Sequence, residues 1–117
     1  MNTLELDVKT FEEKLGGGGM MLIDFWAEWC APCRAFAPTY EGAAEAHPDV
    51  TFGKVDTQAQ PELASAFGIR AIPTLVAIKD GAVVYQNAGM LPRAALDELV
   101  EKLRLLDVAK LAREAGA

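Results

Sequence analysis

The stretch Met21-Leu22-Ile23-Asp24-Phe25-Trp26-Ala27-Glu28-Trp29-Cys30-Ala31-Pro32-Cys33-Arg34 decides the fold of this chain. Met20 to Trp26 is apolar except at Asp24, the pattern of a central strand covered on both faces,. Pro32 to about Ala46 carries Phe36, Tyr40, Ala43 and Ala44 at helical spacing,. Between strand and helix lie the only two cysteines. A Cys-x-x-Cys pair can close a small disulfide ring and open it again. At a strand-to-helix junction it reads as a redox motif. Cys30 sits where free backbone N–H groups and the helix dipole stabilise a thiolate. Cys33, three residues on, shares its helix face.

Working outward, Thr3 to Val8 alternates Leu4, Leu6 and Val8 and predicts a short strand,. Thr10 is the expected helix cap, with Glu13 completing a capping box. Gly16 to Gly19 must be loop, a flexible connector rather than a phosphate loop, because no Gly-Lys-Ser/Thr follows,. Downstream, Pro38 should kink the long helix. Val50 to Val55 is the next strand, and Pro61 to Phe67 a short helix ended by Gly68. Thr74 to Lys79 is an apolar strand. Asp80-Gly81 marks a tight hairpin returning through Val83 to Gln86. Pro92 starts a helix with the stripe Leu96, Leu99, Val100 and Leu103. Val108, Leu111, Ala112 and Ala115 form a second stripe, with Asp107 as its cap,. This predicts a separate short helix or a bent continuation. The order βαβαβαββα gives an α/β domain: a central mixed β-sheet flanked by helices on both faces.

Composition narrows the function. The 117 residues make one domain with a sizeable core,. A net charge of −6 offers no electrostatic footprint for nucleic acid,. No apolar run reaches the length of a membrane span; Arg70 and Pro73 interrupt the best candidate,. The first nine residues lack the basic-then-apolar pattern of a signal peptide. Two cysteines cannot build a disulfide scaffold, so the cytoplasm is the expected compartment. There the pair is catalytic or metal-binding before it is structural. A structural zinc usually needs four protein ligands. His47 is the only histidine and there is no second cysteine pair, which leaves only a zinc site shared between chains. No bound metal is expected.

These pieces together resemble the thioredoxin family. The resemblance rests on Asp24 to Arg34, Pro38, Lys54-Val55-Asp56, Gly68-Ile69-Arg70-Ala71-Ile72-Pro73-Thr74, Gly81 and Gly89. It runs from about Phe11 to Leu103. Trp-Cys-x-Pro-Cys followed about 40 residues later by Ile-Pro-Thr is highly specific. It implies a thioredoxin fold and a general protein-disulfide reductase with no bound cofactor beyond a redox-active Cys30–Cys33 disulfide. It also implies two kinds of partner: disulfide-containing client proteins, and an NADPH-dependent flavoprotein reductase that recharges the dithiol.

The resemblance also distributes roles. Cys30, taken as the more exposed cysteine, attacks the client disulfide, and Cys33 resolves the mixed disulfide. Asp24 becomes a buried acid beneath the site whose raised pKa suits it to take the Cys33 proton. Its apolar flanks argue against the alternative, a carboxylate on a wet edge. Lys54 is either an ammonium near that acid or an ordinary surface lysine. Pro73 is implied to follow a cis bond and to face the dithiol; a trans proline at strand entry is the alternative. Trp29, Ala31, Pro32, Ala71, Ile72, Pro73, Gly89 and Met90 form the expected substrate surface, with Trp26 packing behind it. His47 is read as a helix-end residue without chemistry.

Departures from the family pattern are Ala31 and Ala71, both where glycine is common. The segment at about 105–117 is a helical extension outside the resemblance. Two readings compete with the general reductase: a dedicated redox partner of one client, and an interaction module whose dithiol is incidental. The intact cysteine pair, Asp24 and Pro73 disfavour the second.

Overall fold

A computed structural model describes residues 2–116. Five strands form one mixed sheet in the order β1-β3-β2-β4-β5. They are β1 (Thr3–Glu5), β2 (Met20–Trp26), β3 (Thr51–Asp56), β4 (Thr74–Lys79) and β5 (Ala82–Ala88). The helices are α1 (Val8–Gly16), α2 (Ala31–Ala46), α3 (Pro61–Ala66), α4 (Arg93–Leu105) and α5 (Val108–Gly116). β1 and β2 both run parallel to β3, while β4 lies antiparallel to β2 and β5.

The central strand β2 explains the layering. Its alternate side chains enter two separate cores. Leu22 packs with Phe36, Tyr40, Ala43 and Ala44 of α2 and with Leu96, Val100 and Leu103 of α4. Met21, Ile23 and Phe25 pack on the other face with Leu63 of α3 and Phe11 and Leu15 of α1. Asp24 shares its face with Leu22, so it enters the α2 side.

Several boundaries differ from the sequence reading. β1 stops at Glu5, and Asp7 rather than Thr10 caps α1. Asp7 Oδ1 accepts the Thr10 N–H at 2.8 Å, and the Thr10 hydroxyl accepts the Asp7 N–H at 2.8 Å. The earlier of two good capping residues wins and Thr10 completes the box from its N3 position. Gly16 is helical; only Gly17 to Gly19 form the connector. That connector is tied down, because Gly19 N donates to Asp80 Oδ1 and Asp80 N donates to the Gly19 carbonyl. β5 is longer at both ends than expected.

The extension is a separate helix. Lys79 Nζ donates to the carbonyls of Leu103, Arg104 and Leu106, closing the C-terminus of α4 with a cation,. Asp107 Oδ1 then accepts the Lys110 N–H and starts α5. No α5 residue is fully buried, though Val108, Leu111, Ala112 and Ala115 line a shallow groove with Ala82, Val83 and Val84. His47 ends α2 and ties it to α4, with Nε2 2.9 Å from Asp97 Oδ1 and Nδ1 3.0 Å from Arg104 Nη2. Among the described residues no helix is long and apolar enough to cross a membrane.

Candidate active site

Cys30 is the N-cap of α2 and Cys33 lies in its first turn. The capping position is held by the Cys30 N–H, which donates to the Ala27 carbonyl. Cys30 Sγ in turn accepts the Cys33 N–H at 3.2 Å, and the two sulfurs form a disulfide. One orphan N–H of the helix start, that of Cys33, therefore points at the first sulfur,. In the reduced state that arrangement favours a thiolate on Cys30.

The expected contrast in exposure is nearly absent: Cys30 is 4% exposed and Cys33 3%, so both are buried. Both pack with Ala27, Trp26 and Ile72. The covering residue comes from far along the chain: Cys30 Sγ lies 3.8 Å from the Ile72 carbonyl oxygen, 42 residues away. What distinguishes Cys30 is its capping position, not exposure.

The Ile72–Pro73 bond is cis, and Pro73 is buried at the entry to β4. Two hydrogen bonds hold this corner. Thr74 Oγ1 donates to the Ala71 carbonyl at 2.5 Å, and Gly89 N donates to the Pro73 carbonyl at 2.8 Å. Gly89 adopts φ +106°, a conformation that favours glycine,. Around this corner Trp29 is 67% exposed, and Ala31, Pro32 and Ala71 are open to solvent as well. Trp29, Ala71 and Ile72 line one shallow groove. Met90 is exposed just beyond Gly89, and no hydrogen bond or core contact joins it to the dithiol among the described residues.

The same groove contains residues that the sequence reading did not single out: Thr57, Ala64, Ile69 and Arg70. Arg70 and Ile69 stand inside the Gly-Ile-Arg-Ala-Ile-Pro motif, so they were within reach of a motif argument. Thr57 was not. It arrives only because its N–H and hydroxyl both donate to the Trp26 carbonyl, at 2.9 and 3.1 Å.

In β2, on the face covered by α2, Asp24 is 1% exposed and neither carboxyl oxygen has a hydrogen-bond partner among the described residues. Burial pushes its pKa up to about 7, opposed by the Lys54 ammonium and assisted by the Glu5 carboxylate,. Lys54 is the register partner of Asp24 across β2 and β3, and its ammonium lies 4.6 Å from the centre of the Trp26 ring. It is half-buried and, as the register partner of Asp24, stands on the acid's side of the sheet. Tyr40, fully buried nearby, donates its hydroxyl to the Gly53 carbonyl at 2.7 Å. Gly53 is required there by close approach: a Cβ would meet Leu6 Cδ1 at 2.5 Å.

Comparison with known proteins agrees with this geometry. The Thioredoxin family model matches residues 2–102. A relative from Streptomyces coelicolor, provisionally named thioredoxin 2, is 51% identical over 107 residues, covering 92% of this chain and 80% of its own length. A thioredoxin of Alicyclobacillus acidocaldarius is 44% identical over 96 residues, covering 81% of this chain and 91% of the relative. The structure of Fasciola hepatica thioredoxin superposes with a TM-score of 0.80 at 34% identity, covering 86% of this chain and 98% of that one.

Proposed function

The chain belongs to the thioredoxin family and is a protein-disulfide oxidoreductase working through Cys30 and Cys33; from that premise we propose a general disulfide reductase of the cytoplasm, recharged by an NADPH-dependent flavoprotein reductase. In this role the protein carries electrons between the reductase and its clients and needs no bound cofactor of its own. Thioredoxins act on disulfide-containing targets. The cytoplasmic assignment is supported by a chain whose only cysteines are the reactive pair,.

In the cycle we propose, the Cys30 thiolate attacks one sulfur of a client disulfide. The client S–S bond breaks, one client thiolate leaves, and a mixed disulfide remains on Cys30. Cys33 loses its proton to Asp24, directly or through water, and attacks Cys30 Sγ. The second client thiolate leaves and the Cys30–Cys33 disulfide closes. Two electrons have passed to the client, and two from NADPH, by way of the flavoprotein, reopen the ring. Lys54 stabilises the ionised form of Asp24. Trp29, Ala31, Pro32, Ala71, Ile72, Pro73, Gly89 and Met90 receive the client as an extended segment, pairing with the backbone of Ala71 and Ile72. A mostly apolar surface without deep pockets suits many clients better than one. Residues 1–117 act as a single domain, with the helical extension at about 105–117 as an addition to it.

The observation that carries the assignment of roles is the Cys33 N–H donating to Cys30 Sγ at 3.2 Å. The test is trapping. Cys33→Ser should accumulate a stable client adduct on Cys30, seen by mass spectrometry, and Cys30→Ser should form none and lose turnover. Adducts on Cys33 with activity retained in Cys30→Ser would reverse the two roles.

A further inference from the structure

The sheet places three ionisable groups in one row. Glu5 of β1 pairs in register with Lys54 of β3, and Lys54 pairs in register with Asp24 of β2. Register partners point to the same side of a sheet. A lysine therefore stands between two carboxylates, one strand spacing of about 4.8 Å from each. The two carboxylates differ in setting. Asp24 is buried without a partner, whereas Glu5 is exposed at the edge of the sheet. Glu5 and Lys54 line one cleft with Thr3, Ala37, Pro38 and Glu41. Lys54 forms no direct ion pair with either carboxylate among the described residues, and the Trp26 ring holds its ammonium in place from one side.

We propose that Glu5 is a positioning residue for the redox site: it competes with Asp24 for the Lys54 ammonium and so governs how readily Asp24 gives up its proton. An ammonium turned toward Glu5 keeps part of its hydration, because that end of the row is wet. Turned toward Asp24, it must shed water in an apolar interior. Glu5 thus offers the less costly partner and holds the cation back from the acid. The other charged or titratable groups near this row are Asp56 on β3 and Tyr40 and Glu41 on α2. Tyr40 is neutral, its pKa raised by burial and by Asp24, and its hydroxyl is committed to Gly53. Glu41 is engaged by Thr3 and the Asn2 N–H, and Asp56 by the Gln58 N–H. Glu5 forms no ion pair among the described residues, and the Trp26 indole is the side chain that favours its ionised form beside Lys54. Burial raises the pKa of Glu5 as it does that of Asp24; at both carboxyls the Lys54 ammonium opposes the rise, and the Glu5 charge adds to the rise at Asp24.

This inference rests on the reading of Asp24 as proton acceptor, and the experiment separates the two. The Asp24 carboxyl is titrated by carbon-13 NMR in the full oxidised chain, and the resolving step is followed against pH by single-turnover kinetics. Glu5 is exposed, so its variants should fold. Glu5→Gln should lower the Asp24 midpoint by about half a pH unit, the scale of a screened charge about 10 Å away plus the released ammonium. Glu5→Asp, which keeps the charge, should restore most of the parent value. In a Lys54→Met background the effect of Glu5→Gln should fall to less than half, because the competed group is gone. An unmoved or raised midpoint in Glu5→Gln overturns the proposal. So does an effect that keeps half or more of its size without Lys54, since Glu5 would then act by its field alone. A moved NMR midpoint with an unmoved kinetic midpoint supports Glu5 control of Asp24 and strikes instead at the acceptor role of Asp24.

Discussion

Replacing Asp24 by alanine should make this protein more stable at high pH while slowing its chemistry. The magnitude follows from the carboxyl's setting. In the unfolded chain Asp24 titrates near its ordinary value of about 3.9. In the folded protein burial raises it to about 7. Between those values the native state holds a proton that the unfolded state has released, so stability falls as pH rises through the window. At about 1.4 kcal/mol per unit, the loss across the whole window is on the order of 4 kcal/mol. Truncation to alanine empties roughly 40 Å³, worth about 1 kcal/mol at about 24 cal/mol per Å³. Asp24→Ala should therefore be slightly less stable than the parent below pH 4 and about 3 kcal/mol more stable above pH 8.

The assay is urea unfolding of both oxidised proteins at about pH 5.5 and pH 8.5, each on its own side of the folded midpoint. The parent should lose about 2 kcal/mol relative to Asp24→Ala between these points. For an m-value of about 1–2 kcal/mol per molar, the gap between the two urea midpoints changes by about 1–2 M. The resolving step of Asp24→Ala, measured in parallel, should be slower at both pH values. Midpoints that track each other across pH, with equal rates, would refute the argument and make Asp24 a packing residue.

Three further outcomes are expected. Ala31→Gly should move the dithiol potential by no more than about 20 mV, because the helix-propensity difference is at most about 1 kcal/mol and 30 mV is about 1.4 kcal/mol for two electrons; equilibration with glutathione measures it. Lys79→Met should cost about 1–2 kcal/mol in chemical denaturation, having removed the cation that binds three carbonyls at the end of α4, while leaving reductase activity intact,. Deleting residues 107–117 should lower the melting temperature by less than about 5 °C, since α5 buries no residue fully, with turnover unchanged,.

Two parts of the proposed site were legible because they break a local rule: Asp24 is a charge inside an apolar strand, and the cysteines interrupt a strand-to-helix junction. Pro73 at a strand entry breaks none, and its cis bond was implied only by the family resemblance. What stayed hidden depends on which residues meet across the sheet. Asp7 and Thr10 are both good caps three residues apart, and only the backbone conformation chooses between them. The burial of Cys30 cannot be read from its own neighbourhood, because its cover is Ile72. Lys54 stood open between an ammonium near the acid and an ordinary surface lysine, and register makes it the partner of Asp24. Lys79 gave no sign of capping a helix more than 20 residues downstream. Thr57 entered the groove through the Trp26 carbonyl, a contact that no periodicity encodes.

The redox turn also has a structural reason to react without disturbing the domain. Pro38 has no N–H, so the carbonyl of Arg34, four residues earlier, loses its partner within α2,. That gap lies just after Cys33. Below it, Tyr40 is bonded to Gly53 and packs on Phe52, and Phe36, Ala43 and Ala44 are locked in the same core. Above it, residues 31–34 are held by the N-cap and by Arg34, whose guanidinium donates to the Glu28 carbonyl. A change in the Cys30–Cys33 bond can be absorbed in one turn, while the buried stripe that anchors α2 to the sheet stays in place. Asp24, the proposed proton acceptor, comes from the sheet and not from that turn. Asp24 is fixed by strands on both sides, to Lys54 and to Leu75. In the proposed cycle the reacting sulfurs adjust against a proton acceptor whose position the fold holds constant, and the stability withdrawn by its buried carboxyl is the cost of that role.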